Sequence, residues 1–115
     1  MQKIITPTQH AYLDYVTVVL FAIAPTLFGL TAMAATIAYA LAVIHLAMTL
    51  VTDFPGGTFK LLPFSVHGWV ERVVGPALVL LPFVLGFDGM ARGFYIVVGL
   101  VIILVGLLTD YRVTP

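Results

Sequence analysis

The chain contains an internal repeat that aligns without a gap when the sequence is shifted by 57 positions along itself. Residues 3–58 and 60–115 then share ten identical pairs. The informative matches involve residue types that are scarce in this chain: Lys3 with Lys60, His10 with His67, Asp14 with Glu71, Pro25 with Pro82, Gly29 with Gly86, and Thr52-Asp53 with Thr109-Asp110. A repeat identifies the structural unit before any fold is considered. We therefore divide the chain into a first repeat, residues 1–58, and a second repeat, residues 59–115.

The composition places these repeats in a lipid bilayer. Of the 115 residues, 62% are hydrophobic and 9% are charged. A soluble protein of this size needs a polar surface that so few charged side chains cannot supply, whereas lipid solvates an apolar exterior. The formal net charge of zero gives no reason to expect a nucleic-acid partner, and the absence of cysteine excludes disulfides and thiolate ligands.

Four apolar segments are long enough to cross a membrane as helices, which requires about 20 residues each. They cover approximately residues 10–29, 32–52, 67–86 and 91–109. The short connections within each repeat predict two tandem antiparallel helical hairpins. Since both hairpins cross the membrane in the same direction, we expect an all-α membrane protein whose repeats are related by a pseudo-two-fold axis along the membrane normal.

The basic residues predict how the helices are oriented. Lys3, Lys60, Arg72 and Arg112 fall on one side of the predicted bundle, and Arg92 falls on the other. The positive-inside bias then predicts that both termini and the central loop are cytoplasmic, in a bacterial inner membrane.

A polar cluster is predicted on this cytoplasmic side. A histidine followed four residues later by a carboxylate occurs twice, and this spacing places both side chains on one helix face. A second carboxylate closes each repeat at the same level. The candidate residues are His10, Asp14, Asp53, His67, Glu71 and Asp110. Imidazole and carboxylate together suit zinc, manganese or non-haem iron, and they can also relay protons. The alternative is that they anchor helix ends at the membrane interface.

His45 differs from these residues because its repeat partner is Ile102, so the repeat scaffold does not require a histidine there. It lies well inside the predicted second helix, about 12 Å from Asp53 along the helix axis. An ionisable group at this depth is a functional candidate. His45 can ligate a haem- or chlorophyll-type metal or relay a proton. Alternatively, it is a neutral histidine hydrogen-bonded to Thr49 or to a carbonyl of a neighbouring helix.

The second repeat resembles the SPW-repeat family through His67-Gly-Trp-Val-Glu71 and the segment 75–87, which reads Gly-Pro-Ala-Leu-Val-Leu-Leu-Pro-Phe-Val-Leu-Gly-Phe. At the Ser-Pro-Trp signature this chain has Ala24-Pro25-Thr26 and Leu81-Pro82-Phe83, so the proline is the residue retained. The resemblance implies a small prokaryotic membrane protein built from tandem two-helix units. It implies no particular activity.

Three functions follow as hypotheses, and none requires a cofactor on sequence grounds. The chain carries no phosphate loop, nucleophile elbow or His-Glu-x-x-His motif, so we predict that it is not an enzyme. The first hypothesis is a structural or accessory subunit that self-associates or joins a larger membrane complex through its helix faces. The second is a small proton or ion transporter or channel subunit that uses the histidine–carboxylate cluster. The third is a metal- or pigment-binding subunit of an electron-transfer or photosynthetic complex.

Overall fold

In a computed structural model, which describes residues 2–112, the chain forms four α-helices. Their bounds are Pro7–Leu27 for α1, Ala32–Val51 for α2, Phe64–Leu85 for α3 and Gly89–Leu108 for α4. Each is long and apolar enough to cross a membrane. The prediction of an all-α protein with four candidate membrane spans is confirmed, and the four helices indicate an integral membrane protein.

The first and third helices begin three residues earlier than hydropathy predicts. At α1 the reason is a capping box: the Thr6 hydroxyl accepts a hydrogen bond from Gln9 N, and the Gln9 side chain accepts one from Thr6 N. Pro7 occupies the first helical position, where its missing N–H costs nothing. This capping box adds a turn to α1 that apolar periodicity does not reveal, whereas α3 begins after Pro63 without a side-chain cap.

The turn within each hairpin is built in the same way in both repeats. Gly29 and Gly86 have φ angles of +66° and +73°, in the left-handed region that glycine adopts most readily. Pro25 and Pro82 lie inside the last turns of α1 and α3, and each carbonyl accepts a hydrogen bond from the residue five positions later. The two repeats therefore share the backbone geometry of this turn as well as its sequence pattern.

Small residues let the helices approach closely, as expected where lipid provides no hydrophobic drive between helices. A Cβ atom built on Gly99 of α4 would lie 2.8 Å from the carbonyl oxygen of Gly75 and 2.9 Å from the amide nitrogen of Val79, both in α3. Between the hairpins, the buried Tyr95 hydroxyl donates a 2.6 Å hydrogen bond to the Ala34 carbonyl and so joins α4 to α2.

Two short parallel pairings close the end of the bundle where the chain enters and leaves it. Strand β1 (Thr52–Asp53) pairs with β2 (Leu62–Pro63), with Thr52 opposite Leu62. An isolated bridge pairs Ile5 with Thr109. The 57-residue shift converts one pairing into the other, because Ile5 corresponds to Leu62 and Thr52 to Thr109. Each pairing joins the end of one repeat to the start of the other, which supports the predicted two-fold relation between the repeats.

The close contact at Gly99 allows us to predict how a larger residue there would change the stability of the protein. We expect Gly99→Ala to destabilise the protein by about 1–3 kcal/mol, since its methyl group meets backbone atoms that cannot move independently. The measurement is thermal unfolding in lipid nanodiscs. Gly93→Ala is the matched control, because it lies in the same helix with open space around its Cβ position. Equal melting temperatures for the two variants would contradict the proposed close packing of α3 on α4.

Candidate functional site: a buried histidine–carboxylate cluster

Four of the predicted polar residues meet inside the bundle. His10 and Asp14 come from α1, and His67 and Glu71 come from the corresponding turns of α3. Both histidines are fully buried, and Asp14 and Glu71 are 2% and 6% exposed. We call these four residues the central cluster. Their burial differs from what interface anchors would show, since anchors keep their polar ends in water.

The ligand-type atoms of the central cluster converge on one point. Nε2 of His10 and Nε2 of His67 each lie 2.9 Å from Oε1 of Glu71. The same nitrogens lie 3.2 Å from Oδ1 and Oδ2 of Asp14, respectively. One nitrogen or oxygen from each of the four residues lies within 4.8 Å of all the others. Each histidine thus contacts the carboxylate of its own repeat and that of the other repeat.

Threonine hydroxyls fix the orientation of both histidines. Nδ1 of His10 lies 2.8 Å from Oγ1 of Thr109, and Nδ1 of His67 lies 2.8 Å from Oγ1 of Thr52. Both hydroxyls donate their own hydrogen to a carbonyl one turn earlier in their helix, at 2.6 Å. Each threonine must therefore accept from Nδ1–H, because its hydrogen is already used. This arrangement leaves both Nε2 atoms directed at the carboxylates.

An aromatic layer separates the central cluster from the end of the bundle. Phe54 and Tyr111 are repeat partners, and each ring lies 5.6 Å from the histidine of the opposite repeat, His67 and His10 respectively. Phe64 packs between them, 5.1 Å from Phe54 and 4.7 Å from Tyr111. Burial raises the pKa of the Tyr111 hydroxyl above its usual range, so this residue stays a neutral phenol.

Buried polar atoms without hydrogen-bond partners concentrate at this site. Among residues 2–112 there are four such side-chain atoms: Asp14 Oδ2, His45 Nε2, His67 Nε2 and Tyr111 Oη. Three of them lie in or beside the central cluster, and Tyr111 belongs to the aromatic layer above it. The three cluster atoms lie 2.9–3.3 Å from polar neighbours without forming hydrogen bonds. Such atoms are rare in folded proteins, and a further group bound between them would pair them.

His45 approaches the cluster from α2. Its Nε2 atom lies 3.3 Å from Oδ1 of Asp14, and its side chain is 11% exposed. The Thr49 hydroxyl donates to the His45 backbone carbonyl rather than contacting the imidazole. The imidazole is therefore not bonded to Thr49, which was one of the two partners that the alternative for His45 named.

Asp53 and Asp110 do not join the central cluster, which corrects the expectation that each repeat contributes two carboxylates. Asp53 is exposed, and Asp110 accepts a hydrogen bond from Arg112 N at 3.0 Å. The reason is the alternation of side chains along an extended segment. Thr52 and Thr109 point inward to the histidines, so the residues that follow them point outward. The Thr-Asp pair recurs in both repeats, but the predicted site residues were the two aspartates and not the two threonines.

A largely apolar cleft of about 400 Å³ runs between α1 and α4. Asp14 and Glu71 contribute the carboxylates that line it, near one end. The cleft leaves the carboxylate side of the central cluster less enclosed than the histidine side.

The donor set suits a divalent transition metal. Two imidazole nitrogens and two carboxylates are ligands for zinc, iron or manganese. Metal–ligand bonds of about 2.0–2.2 Å put neighbouring ligands of a tetrahedral site roughly 3.3–3.6 Å apart. The four nitrogen–oxygen distances of 2.9–3.2 Å are a few tenths shorter, and all four ligand atoms lie within 4.8 Å of one another, so an ion would need the histidines and carboxylates to move apart.

No family model, curated protein or solved structure matches this chain.

The threonine contacts generate a prediction that needs no ion. We expect Thr109→Val to destabilise the protein by about 1–3 kcal/mol, because the buried Nδ1–H of His10 loses its acceptor while side-chain shape is preserved. Thr52→Val should have a similar effect through His67. Unfolding in lipid nanodiscs is again the measurement.

Thr36→Val is the control for these variants. The Thr36 hydroxyl makes the same type of bond to a carbonyl one turn earlier, but it is exposed and contacts no histidine. If all three variants lose the same stability, the histidine contacts do not contribute and this account of the site is wrong.

Proposed function

We propose that this chain is a membrane protein that holds one divalent transition-metal ion at His10, Asp14, His67 and Glu71. The observation that carries the proposal is the convergence of two histidine Nε2 atoms and two carboxylates, with both Nδ1 atoms already committed to threonine. Metal-binding histidines typically hold their second nitrogen in this way, which fixes the tautomer and the ring orientation.

Charge also supports a divalent ion. Two carboxylates and one divalent cation sum to zero when both histidines are neutral. A buried site with no net charge avoids most of the desolvation cost that an isolated charge incurs in a low-dielectric interior. Monovalent ions would leave net negative charge, and their ligands are not typically imidazole.

We propose a structural role for this ion. A site with four protein ligands is closed, whereas catalytic metal sites usually keep one position open. The ligands come in equal numbers from α1 and α3, so one ion would tie the two repeats together. This agrees with the prediction of a non-enzymatic structural or accessory membrane protein, which stays a prediction, as do its association with a larger complex and its resemblance to SPW-repeat proteins.

Ion or proton transport through the same residues also stays a prediction. The observation in its favour is that Asp14 and Glu71 line the cleft between α1 and α4, within the apolar length of the bundle. For a pigment-binding role the structure offers no comparable support, because the His45 imidazole contacts Asp14.

Elemental analysis and metal-dependent stability test the proposal together. We expect the chain, purified without chelator and placed in nanodiscs, to carry about one equivalent of zinc, iron or manganese. Removing the ion and adding it back at 100 times its dissociation constant should restore about 2.7 kcal/mol of stability. Glu71→Gln should lose the ion, since it keeps the side-chain shape and removes one negative ligand.

Asp53→Asn serves as the control, because it removes an exposed carboxylate outside the central cluster and should retain the ion. The proposal fails if the wild-type chain carries no metal and none of the three ions changes its melting temperature.

Orientation in the membrane can be tested independently, because the chain has no cysteine. Thr31 and Thr58 are exposed threonines near opposite ends of the bundle. We expect a thiol reagent that does not cross membranes to label Thr31→Cys in intact bacterial cells and Thr58→Cys only after permeabilisation. The reverse pattern would show that the termini are outside.

A further inference from the structure

We propose that His45 orients Asp14 so that this carboxylate binds the ion through Oδ2 alone, which makes the site prefer a small, four-coordinate ion such as Zn²⁺ over Mn²⁺. This inference rests on the proposed function and adds to it the selectivity of the site. His45 is here a positioning residue, since it acts on the ion through Asp14.

The repeat provides the first argument. His45 and Ile102 occupy corresponding positions in α2 and α4, and Ile102 is buried in the apolar core. An aliphatic side chain at this position is therefore compatible with the packing of the helices. A histidine there, in a segment otherwise made of apolar and small residues, adds a polar group that helix packing does not need.

The contacts of Asp14 provide the second argument. Its Oδ1 atom faces two imidazole nitrogens, Nε2 of His10 at 3.2 Å and Nε2 of His45 at 3.3 Å. Its Oδ2 atom faces Nε2 of His67 at 3.2 Å and has no hydrogen-bond partner. The two oxygens thus have different surroundings, with Oδ2 the one left free for a ligand bond.

His45 is itself incompletely paired. Its Nε2 atom is buried and makes no hydrogen bond in the present geometry, although Asp14 Oδ1 lies 3.3 Å away. A small rotation of the carboxylate, of the kind an ion would cause by drawing Oδ2 toward itself, lets Nε2–H donate to Oδ1. This single rotation would give a partner to both unpaired atoms, because His45 Nε2 would donate to Oδ1 and Asp14 Oδ2 would bind the ion.

The consequence concerns coordination number. A hydrogen bond to one carboxylate oxygen uses one of its lone pairs and fixes the direction of the group, which favours binding of a metal through the other oxygen alone. Together with one atom each from His10, His67 and Glu71, this gives four ligands, the number typical of structural zinc sites. Larger, oxygen-preferring ions gain from carboxylates that bind through both oxygens and from higher coordination numbers. Fixing Asp14 therefore penalises those ions more than zinc.

Glu71 has no corresponding partner, because the residue that matches His45 next to it is Ile102. Apart from the additional methylene of Glu71, the surroundings of the two carboxylates differ at this one position. This asymmetry allows a test in which the histidine is moved from one repeat to the other without changing composition.

The experiment measures Zn²⁺ and Mn²⁺ dissociation constants for the full-length chain in nanodiscs, by competition with a chromogenic chelator. His45→Ile installs the residue of the repeat partner. We expect it to weaken Zn²⁺ binding 10- to 100-fold, the usual effect of losing an outer hydrogen-bond partner of a ligand, and to lower the Zn²⁺/Mn²⁺ affinity ratio at least tenfold.

Two further variants separate positioning from folding. His45→Gln keeps an N–H donor and should retain most of the wild-type ratio. The double variant His45→Ile/Ile102→His places the imidazole beside Glu71 and should restore the ratio. With Co²⁺ as a probe, wild type should give the intense visible absorption of four-coordinate cobalt, and His45→Ile a weaker spectrum.

Equal weakening of both ions in His45→Ile, or no change in either, overturns the role of His45 while leaving the metal site intact. A ratio that falls equally in His45→Ile and His45→Gln also overturns it, because a retained donor should rescue. A wild-type chain that binds neither ion overturns this inference, and it overturns the proposed function as well if iron also fails to bind.

Discussion

The structure depends on placing two carboxylates inside an apolar bundle where water cannot solvate them. An isolated charge in such surroundings is strongly unfavourable, and it persists only with close partners of opposite charge or with donors. Asp14 and Glu71 meet this requirement by facing the same two histidines. The positions of α1 and α3 follow from it, since their first two turns must bring these side chains together.

The parts around the central cluster can be understood as supports for this arrangement. The two short parallel pairings hold Thr52 and Thr109 beside the histidines, and each threonine hydroxyl donates a hydrogen bond to a carbonyl one turn earlier. Aromatic rings from the same segments then cover the imidazoles. The hydroxyl that fixes each histidine comes from the opposite repeat, so neither hairpin completes its own site.

Much of this organisation was predictable from the sequence, for identifiable reasons. Apolar length predicted the four helices, and the shift of 57 positions linked His10 with His67 and made a cluster with their carboxylates one of the hypotheses. The roles of Thr52 and Thr109 were not predicted, because the direction of a side chain in a two-residue strand depends on a pairing partner distant in sequence. The same uncertainty led us to include Asp53 and Asp110. His45 was recognised as unusual, but its contact with Asp14 depends on how α2 rotates against α1, which hydropathy does not determine.

The exchange of contacts between the repeats has a consequence for biosynthesis. Chains are made from the N-terminus, so α1 and α2 emerge before the second repeat exists. At that stage Asp14 has His10 and His45 beside it but lacks His67, and His10 lacks the hydroxyl of Thr109. An acidic side chain so placed resists burial in lipid. The contacts of the first hairpin are therefore complete only after Thr109, the residue that follows α4, has been made.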